Sequence, residues 1–235
     1  MIMPIDSHSG NPLPPTVTGP EAMLQAIKEA GLIPFFANPI PGYSIEEKTP
    51  PGDWFTGESL GPWDWKIYCV QSGEIAYGKF LFGGKAAFAT VDVYRELMNR
   101  RRSQPRYAPA ADQQRVLDHI ERQGSVGVRD VRELLGIKKG AADSLLSRLQ
   151  MQTRVITGDI ERVYRGAELR YEGWQRSSFC SPESLFEEEE FPFPGFVPRS
   201  LRSAHTPEES LEYLMDTIHR AAPSATRAQM EKMLR

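Results

Sequence analysis

The chain has 235 residues, 40% of them hydrophobic and 25% charged, and a net charge of −3. That is an ordinary globular composition, long enough for one large core or two small ones. It excludes a disordered polyelectrolyte, and the absence of any apolar run of about 18 residues excludes a helical membrane span.

The charge is unevenly spread. Residues 1–99 carry a net −5, residues 100–176 carry +6, and residues 177–235 carry −4. A single basic stretch in an acidic chain fits local contact with a phosphate backbone, and equally fits a solvated surface. Cys69 and Cys180 form no metal or redox spacing, and His8, His119, His205 and His219 are scattered. Neither a metal nor a cofactor is therefore expected. The N-terminus lacks the basic-then-apolar order of a signal peptide, and a reduced, cytoplasmic protein is the simplest reading.

In chain order, Met1–Pro20 is polar, rich in proline and expected to be mobile. Gly19-Pro20 then starts a helix over Glu21–Ala30 that Gly31 ends. Leu32–Phe36 leads into a loop rich in Pro and Gly, which stays ordered only if Tyr43, Trp54 and Phe55 dock. The β-rich runs Ile67–Gln71 and Ile75–Phe80, separated by Ser72-Gly73, predict a small antiparallel sheet. Asp92–Arg102 reads as a helix, and Ser103–Pro109 as a linker.

The densest pattern is Ala110–Arg165. Helices are expected over Ala110–Gln123, Val128–Leu135 and Lys139–Gln150, the last with Ala142, Leu145, Leu146 and Leu149 at i, i+3, i+4, i+7. Thr153–Thr157 and Ile160–Arg165 then flank Gly158-Asp159, a hairpin turn signal that implies a short wing. This is the order of a winged helix-turn-helix. Beyond it, Glu168–Gln175 adds a strand, Glu187–Glu190 is an acidic run, and Phe191–Pro198 is aromatic and Pro-rich. Thr206–Ala221 carries a helix-capping signature, and Ser224–Leu234 is a short last helix.

Three places carry candidate chemistry. In Trp63-Asp64-Trp65-Lys66 the tryptophans are either a base-stacking surface or, more in keeping with large aromatics, core anchors. If the segment is extended, alternation puts both on one face. Glu74, Tyr77, Lys79 and Lys85 form a second set, beside Ser72-Gly73 and Gly83-Gly84, where a backbone can approach a ligand closely. The alternative there is a hairpin with solvated charges. Gln150-Met151-Gln152 is the third, at the junction of the last helix and the wing, where amides can bond base edges or orient water, or simply close a helix end.

The segments Gly31–Phe36, Gly61–Lys66, Ser72–Glu74, Ala76–Phe80 and Gly83–Lys85, with the later Arg148–Thr153, resemble bacterial proteins of the AlkZ-related family over about residues 21–177. The resemblance implies kinship with the AlkZ and YcaQ winged-helix DNA glycosylases, which excise alkylated bases or unhook crosslinks and use a Gln-x-Gln or Gln-x-Asp motif. Those enzymes are longer, build their cleft from several winged helices, and carry the Gln motif before it. Here Gln150-Met151-Gln152 follows the recognition helix, so the resemblance supports DNA association more than excision.

The expected fold is α+β: a mobile tail over 1–19, a region with a Trp-rich small sheet over 20–107, a winged helix over 108–177, and an acidic, Pro/Phe segment with C-terminal helices over 178–235. The leading functional expectation is a DNA-binding protein with a role in repair of alkylated DNA and double-stranded DNA as its partner. Lys139, Ser144, Ser147 and Arg148 would meet the groove, and Arg100, Arg101, Arg102, Arg154, Arg162 and Arg165 the phosphates. The first alternative is a monofunctional glycosylase with Asp64, Glu74, Gln150 and Gln152 as catalytic groups and Trp63, Trp65, Tyr77, Lys79 and Lys85 around a base pocket. The second is a protein-interaction module, binding a partner protein or a second copy.

Overall fold

A computed structural model describes residues 16–56, 59–187 and 198–235. It is a mixed α/β fold with small antiparallel sheets. Helix α1, Pro20–Ala30, begins with proline at its first position, as expected. Gly31 closes it at φ 71°, donating its N–H to the Ile27 carbonyl. Strand β1 is Leu32–Pro34 and the short helix α2 is Ile45–Lys48. The Pro/Gly loop around α2 is held as anticipated: Tyr43 is fully buried and Trp54 partly so, while Phe55 remains 60% exposed.

The next element departs from the expected strand. Residues Pro62–Gln71 form helix α3. The β propensity of Trp, Ile, Tyr and Val is weak against a start of Gly61, Pro62 at the first position and Asp64 in the first turn. Gly61 stands at φ 57°, where an added Cβ would lie 1.8 Å from the Asp53 carbonyl oxygen, so no other residue fits this entry. At 100° per residue Trp63 and Trp65 point to different sides. The Trp63, Lys66, Ile67 and Val70 side of α3 meets the strands that follow α7, while Trp65 packs on the main core.

Strands β2, Ile75–Leu81, and β3, Lys85–Thr90, complete a sheet of order β1-β3-β2 with Ile33 opposite Phe88 and Tyr77 opposite Phe88. Helix α4, Val91–Arg102, follows directly. Helices α5, Ala111–Gln123, α6, Val128–Leu135, and α7, Lys139–Met151, agree with the expected three to within a residue. Their buried residues Val116, Ile120, Val131, Ala142, Leu146 and Leu149 form a cluster of their own with Val126, Val155 and Phe179.

The hairpin is longer than its turn signal suggested. Strand β4 runs from Ile156 to Arg165 straight through Gly158-Asp159, where the register shifts, and pairs with β5, Arg170–Cys180. The turn falls at 166–169, with Gly166 at φ 73° and Leu169 at φ 47°. Gly158-Asp159 cannot turn because its neighbours are anchored. Asp159 accepts hydrogen bonds from Gln71 and from the Ile160 N–H, and Ile160 is buried on Ile67 and Val70 of α3.

Helices α8, Pro182–Phe186, α9, Pro207–Ala221, and α10, Arg227–Leu234, finish the chain. Thr206 caps α9 as its signature predicted, its hydroxyl accepting from the Glu209 N–H. The main core gathers α1, the three-stranded sheet, α4, α9 and α10. Most of the acidic run and of the Phe191–Pro198 segment, at 188–197, lies outside the described residues.

Candidate nucleic-acid interface

Helix α7 buries Ala142, Leu146 and Leu149 against α5 and α6 and turns Lys139, Ser144 and Arg148 to solvent, with Asp143 and Ser147 half-buried beside them. The β2–β3 turn runs alongside this outer face. Gly83 and Gly84 both have positive φ, 75° and 69°, and a Cβ on Gly84 would lie 4.0 Å from the Ser147 hydroxyl. Between turn and helix lies an open recess of about 440 Å³ lined by Lys79, Gly83, Gly84, Ser144, Ser147 and Arg148, with Asp143 and Met151 at its sides. Gly84 therefore brings the turn's backbone up to α7, while Gly83 faces open space.

The junction is fastened by Gln150, which is 3% exposed. Its Oε1 accepts the Lys79 N–H at 2.8 Å, and its Nε2 donates to the Leu146 carbonyl at 3.3 Å. Gly78 makes room: a Cβ there would sit 2.8 Å from that same Oε1. An edge-strand N–H is thus paired by a side chain from another element. A smaller recess of about 90 Å³, room for only about three waters, adjoins it between Tyr77, Lys79, Ser147, Thr157 and Ser177.

Gln152, also buried, faces the other way. Its Nε2 donates to the Ala108 carbonyl and to Gln113 Oε1 at 3.0 Å, tying the end of α7 to the start of α5. The two amides of Gln150-Met151-Gln152 therefore serve different seams. Asp64 is elsewhere again, on α3, where it accepts from the Tyr171 hydroxyl and from Gln175 at 3.1 Å and pairs with Arg162 at 3.5 Å. Glu74 pairs with Lys28. The four proposed catalytic groups share no hydrogen bond and no recess among the described residues.

Lys66, adjacent to Asp64, is 3% exposed. Its ammonium lies 3.2 Å from the centroid of the Trp63 ring and donates to the Trp63 carbonyl and to Gln175. Burial pulls it down to about 7, against the opposing pull of Asp64. Trp63 itself donates Nε1–H to the Gly173 carbonyl at 2.9 Å. With one face under Lys66 and its edge on β5, Trp63 is an anchor for the hairpin. Tyr77 is likewise spoken for, stacked on Phe88 with centroids 4.7 Å apart. Of the suggested base-pocket residues only Lys79 and Lys85 are exposed.

The run Arg100-Arg101-Arg102, expected to meet phosphates, is engaged within the chain, with Arg101 buried and Arg100 and Arg102 half-buried. Arg101 is 1% exposed and donates to the carbonyl oxygens of Phe80, Met151, Leu234 and Arg235, and burial lowers it to about 10. Arg100 pairs with Glu208, and Arg102 with Glu183 and the Thr153 carbonyl. Arg154 is half-buried and also lowered by burial. Three consecutive arginines look like a basic patch in sequence, but on a helix they point three ways.

On the β4–β5 hairpin, Arg162 is partly exposed but turned toward Asp64 and Tyr171, while Arg165 lies 4.3 Å over the ring of Trp174. Trp174 and Tyr164 are each more than half exposed, and neither drew notice in the sequence. The one available signal was alternation. Tyr171, Gly173 and Gln175 face α3, which leaves Arg170, Trp174 and Arg176 outward.

A family model matches residues 17–235, nearly all of the described chain. The chain belongs to the AlkZ-related family. No curated protein and no solved structure was found to match it. The AlkZ-related match extends past residue 177, where the visible likeness stopped, to include α9 and α10. Among the described residues of this AlkZ-related chain, no helix is long and apolar enough to cross a membrane, and no group of three or more His, Cys, Asp or Glu is placed to hold a metal ion.

Proposed function

We propose that this chain binds double-stranded DNA through a winged helix-turn-helix formed by α5, α6, α7 and the β4–β5 hairpin, in the service of DNA repair. The observation that carries the reading is the open face of α7. Ser144 and Arg148 are exposed beside the glycine turn, Lys79 extends that basic surface across the recess, and Lys139, at the start of α7 and half a turn round its axis from Arg148, adds a separate exposed ammonium. The hydroxyls, the ammonium and the guanidinium are phosphate and base-edge donors, and Asp143 is the one carboxylate among them. The AlkZ-related family points to the same setting.

The phosphate contacts differ from those the sequence suggested. Arg100, Arg101, Arg102 and Arg154 drop out of the expected set, Lys139, Arg148 and Arg165 stay in it, and Lys79 joins them. Base excision is the weaker reading, because Asp64, Glu74, Gln150 and Gln152 lie at separate seams and each already holds a structural partner. The test is fluorescence anisotropy with a labelled duplex across a salt series. Lys79→Ala, Lys139→Ala and Arg148→Ala should each weaken binding and reduce the salt slope by about one unit. Unaltered slopes in all three variants would remove α7 from the interface.

A further inference from the structure

A second groove, of about 740 Å³, lies where the β1–α2 loop, the β2–β3 hairpin and α10 meet. Its walls are apolar: Pro34, Ile40, Leu81, Ala86 and Met233 contribute, and the rings of Phe36 and Phe82 stand 42% and 47% exposed at its mouth. Large apolar side chains held this far in water mark interaction surfaces when they gather in one place.

The polar groups of the lining are largely committed. Asn38 donates to the Tyr43 carbonyl at 2.6 Å and accepts from the Ile40 N–H, and Gln229 donates to the Pro39 carbonyl at 3.0 Å. What an incoming partner meets is an apolar trough with two ammonium groups, Lys85 on the hairpin and Lys232 on α10. No carboxylate lines the groove, and neither lysine has an ion-pair partner among the described residues. On the same helix Arg227 is fully engaged with Glu212 and Glu231, so the two free lysines are a property of this side.

We propose that the groove docks an acidic amphipathic helix from a partner protein, its apolar stripe between Phe36 and Phe82 and its carboxylates against Lys85 and Lys232. The charge of the lining fixes the sign of the partner. The two exposed rings at its mouth, Phe36 and Phe82, suit the apolar stripe of a helix, which docks one face in a groove and leaves the other in water. The inference stands independently of DNA binding, since neither Lys232 nor Phe82 lines the α7 recess.

The test uses the full chain and two fluorescein-labelled model peptides of about 18 residues, long enough to form a helix on docking. Both carry leucine at i, i+3, i+4 and i+7, with glutamate elsewhere in one and lysine in the other. The glutamate peptide should bind on the order of tenfold tighter than the lysine peptide, and Lys85→Glu with Lys232→Glu should invert that preference. Phe82→Ser, on an exposed ring, should weaken the glutamate peptide about tenfold with an unchanged melting curve. Equal affinity for the two peptides, or no inversion in the double variant, overturns the proposal. So does displacement of a bound fluorescent fatty acid by dodecanoate with no peptide binding, which would make it a lipid site. Self-association abolished by the double variant, without peptide binding, would make it a contact between copies.

Discussion

Gln150 and Gly78 are two halves of one contact. The carboxamide caps the Lys79 N–H because Gly78 has no side chain to block it. Gly78→Ala should push the amide off its donor and leave a half-buried N–H without that partner, a cost of about 1–2 kcal/mol by chemical denaturation. In a Gln150→Ala background most of that cost disappears, so the double-mutant cycle should show a coupling of about 1 kcal/mol. Additive losses would mean that the two residues act separately. Arg101 is the more demanding site. Arg101→Ala strands carbonyls from β2, α7 and α10 at once and should cost roughly 3 kcal/mol or more, while leaving the salt slope of DNA binding unchanged in whatever fraction stays folded. Lys66 sets a pH dependence of its own. Its folded value near 7 lies below the ordinary lysine value, so between about pH 7 and pH 10.4 the unfolded chain binds the extra proton and stability rises with pH. Below about 7 the full burial penalty is present. Lys66→Met should flatten that rise in urea titrations at successive pH values.

At the scale of elements, the hairpin and α3 explain each other. Tyr171, Gly173 and Gln175 face α3, and Asp64, Trp63 and Lys66 face back. Tyr171→Phe removes one bond of that seam and should speed amide exchange in β4 and β5 while sparing α5 and α6. Uniform acceleration over all four elements would contradict the seam. The three helices of the α5–α7 unit were legible in the sequence because each has a clear 3.6-residue apolar stripe and glycine stops at Gly124 and Gly136. Helix α3 was hidden because its composition is β-rich and its apolar residues point to two cores, which erases the stripe. The hairpin turn lies elsewhere than its letters suggest for a related reason. Gly158-Asp159 has the letters of a turn, but burial of Ile160 on α3 keeps the chain extended, and tertiary contact overrode local chemistry. The candidate site was legible only in part. Arg148, Ser144 and Lys139 follow from helix periodicity, whereas the interior fate of Arg101 depends on α10, which lies more than a hundred residues further on.

At the scale of the whole molecule, charge and packing divide the work. The main core ties both ends of the described chain to the three-stranded sheet, while the helical cluster and the hairpin attach to it through Gln150, Arg101 and the α3 seam. The basic residues of 100–176 serve different ends: Arg101 and its neighbours brace the interior, several on α5, α6 and the hairpin are paired with carboxylates, and Lys139 and Arg148 stand exposed on α7, joined by Lys79 from the sheet. The central claim is that this outward set meets duplex DNA. The most direct measurement is the slope of log binding constant against log salt for the natural chain and for the triple variant Lys79→Ala, Lys139→Ala, Arg148→Ala. Tight binding at low salt with a steep slope is expected, with a slope shallower by about three units in the triple variant. Binding that is absent at low salt, or a slope that the triple variant leaves unchanged, would contradict it.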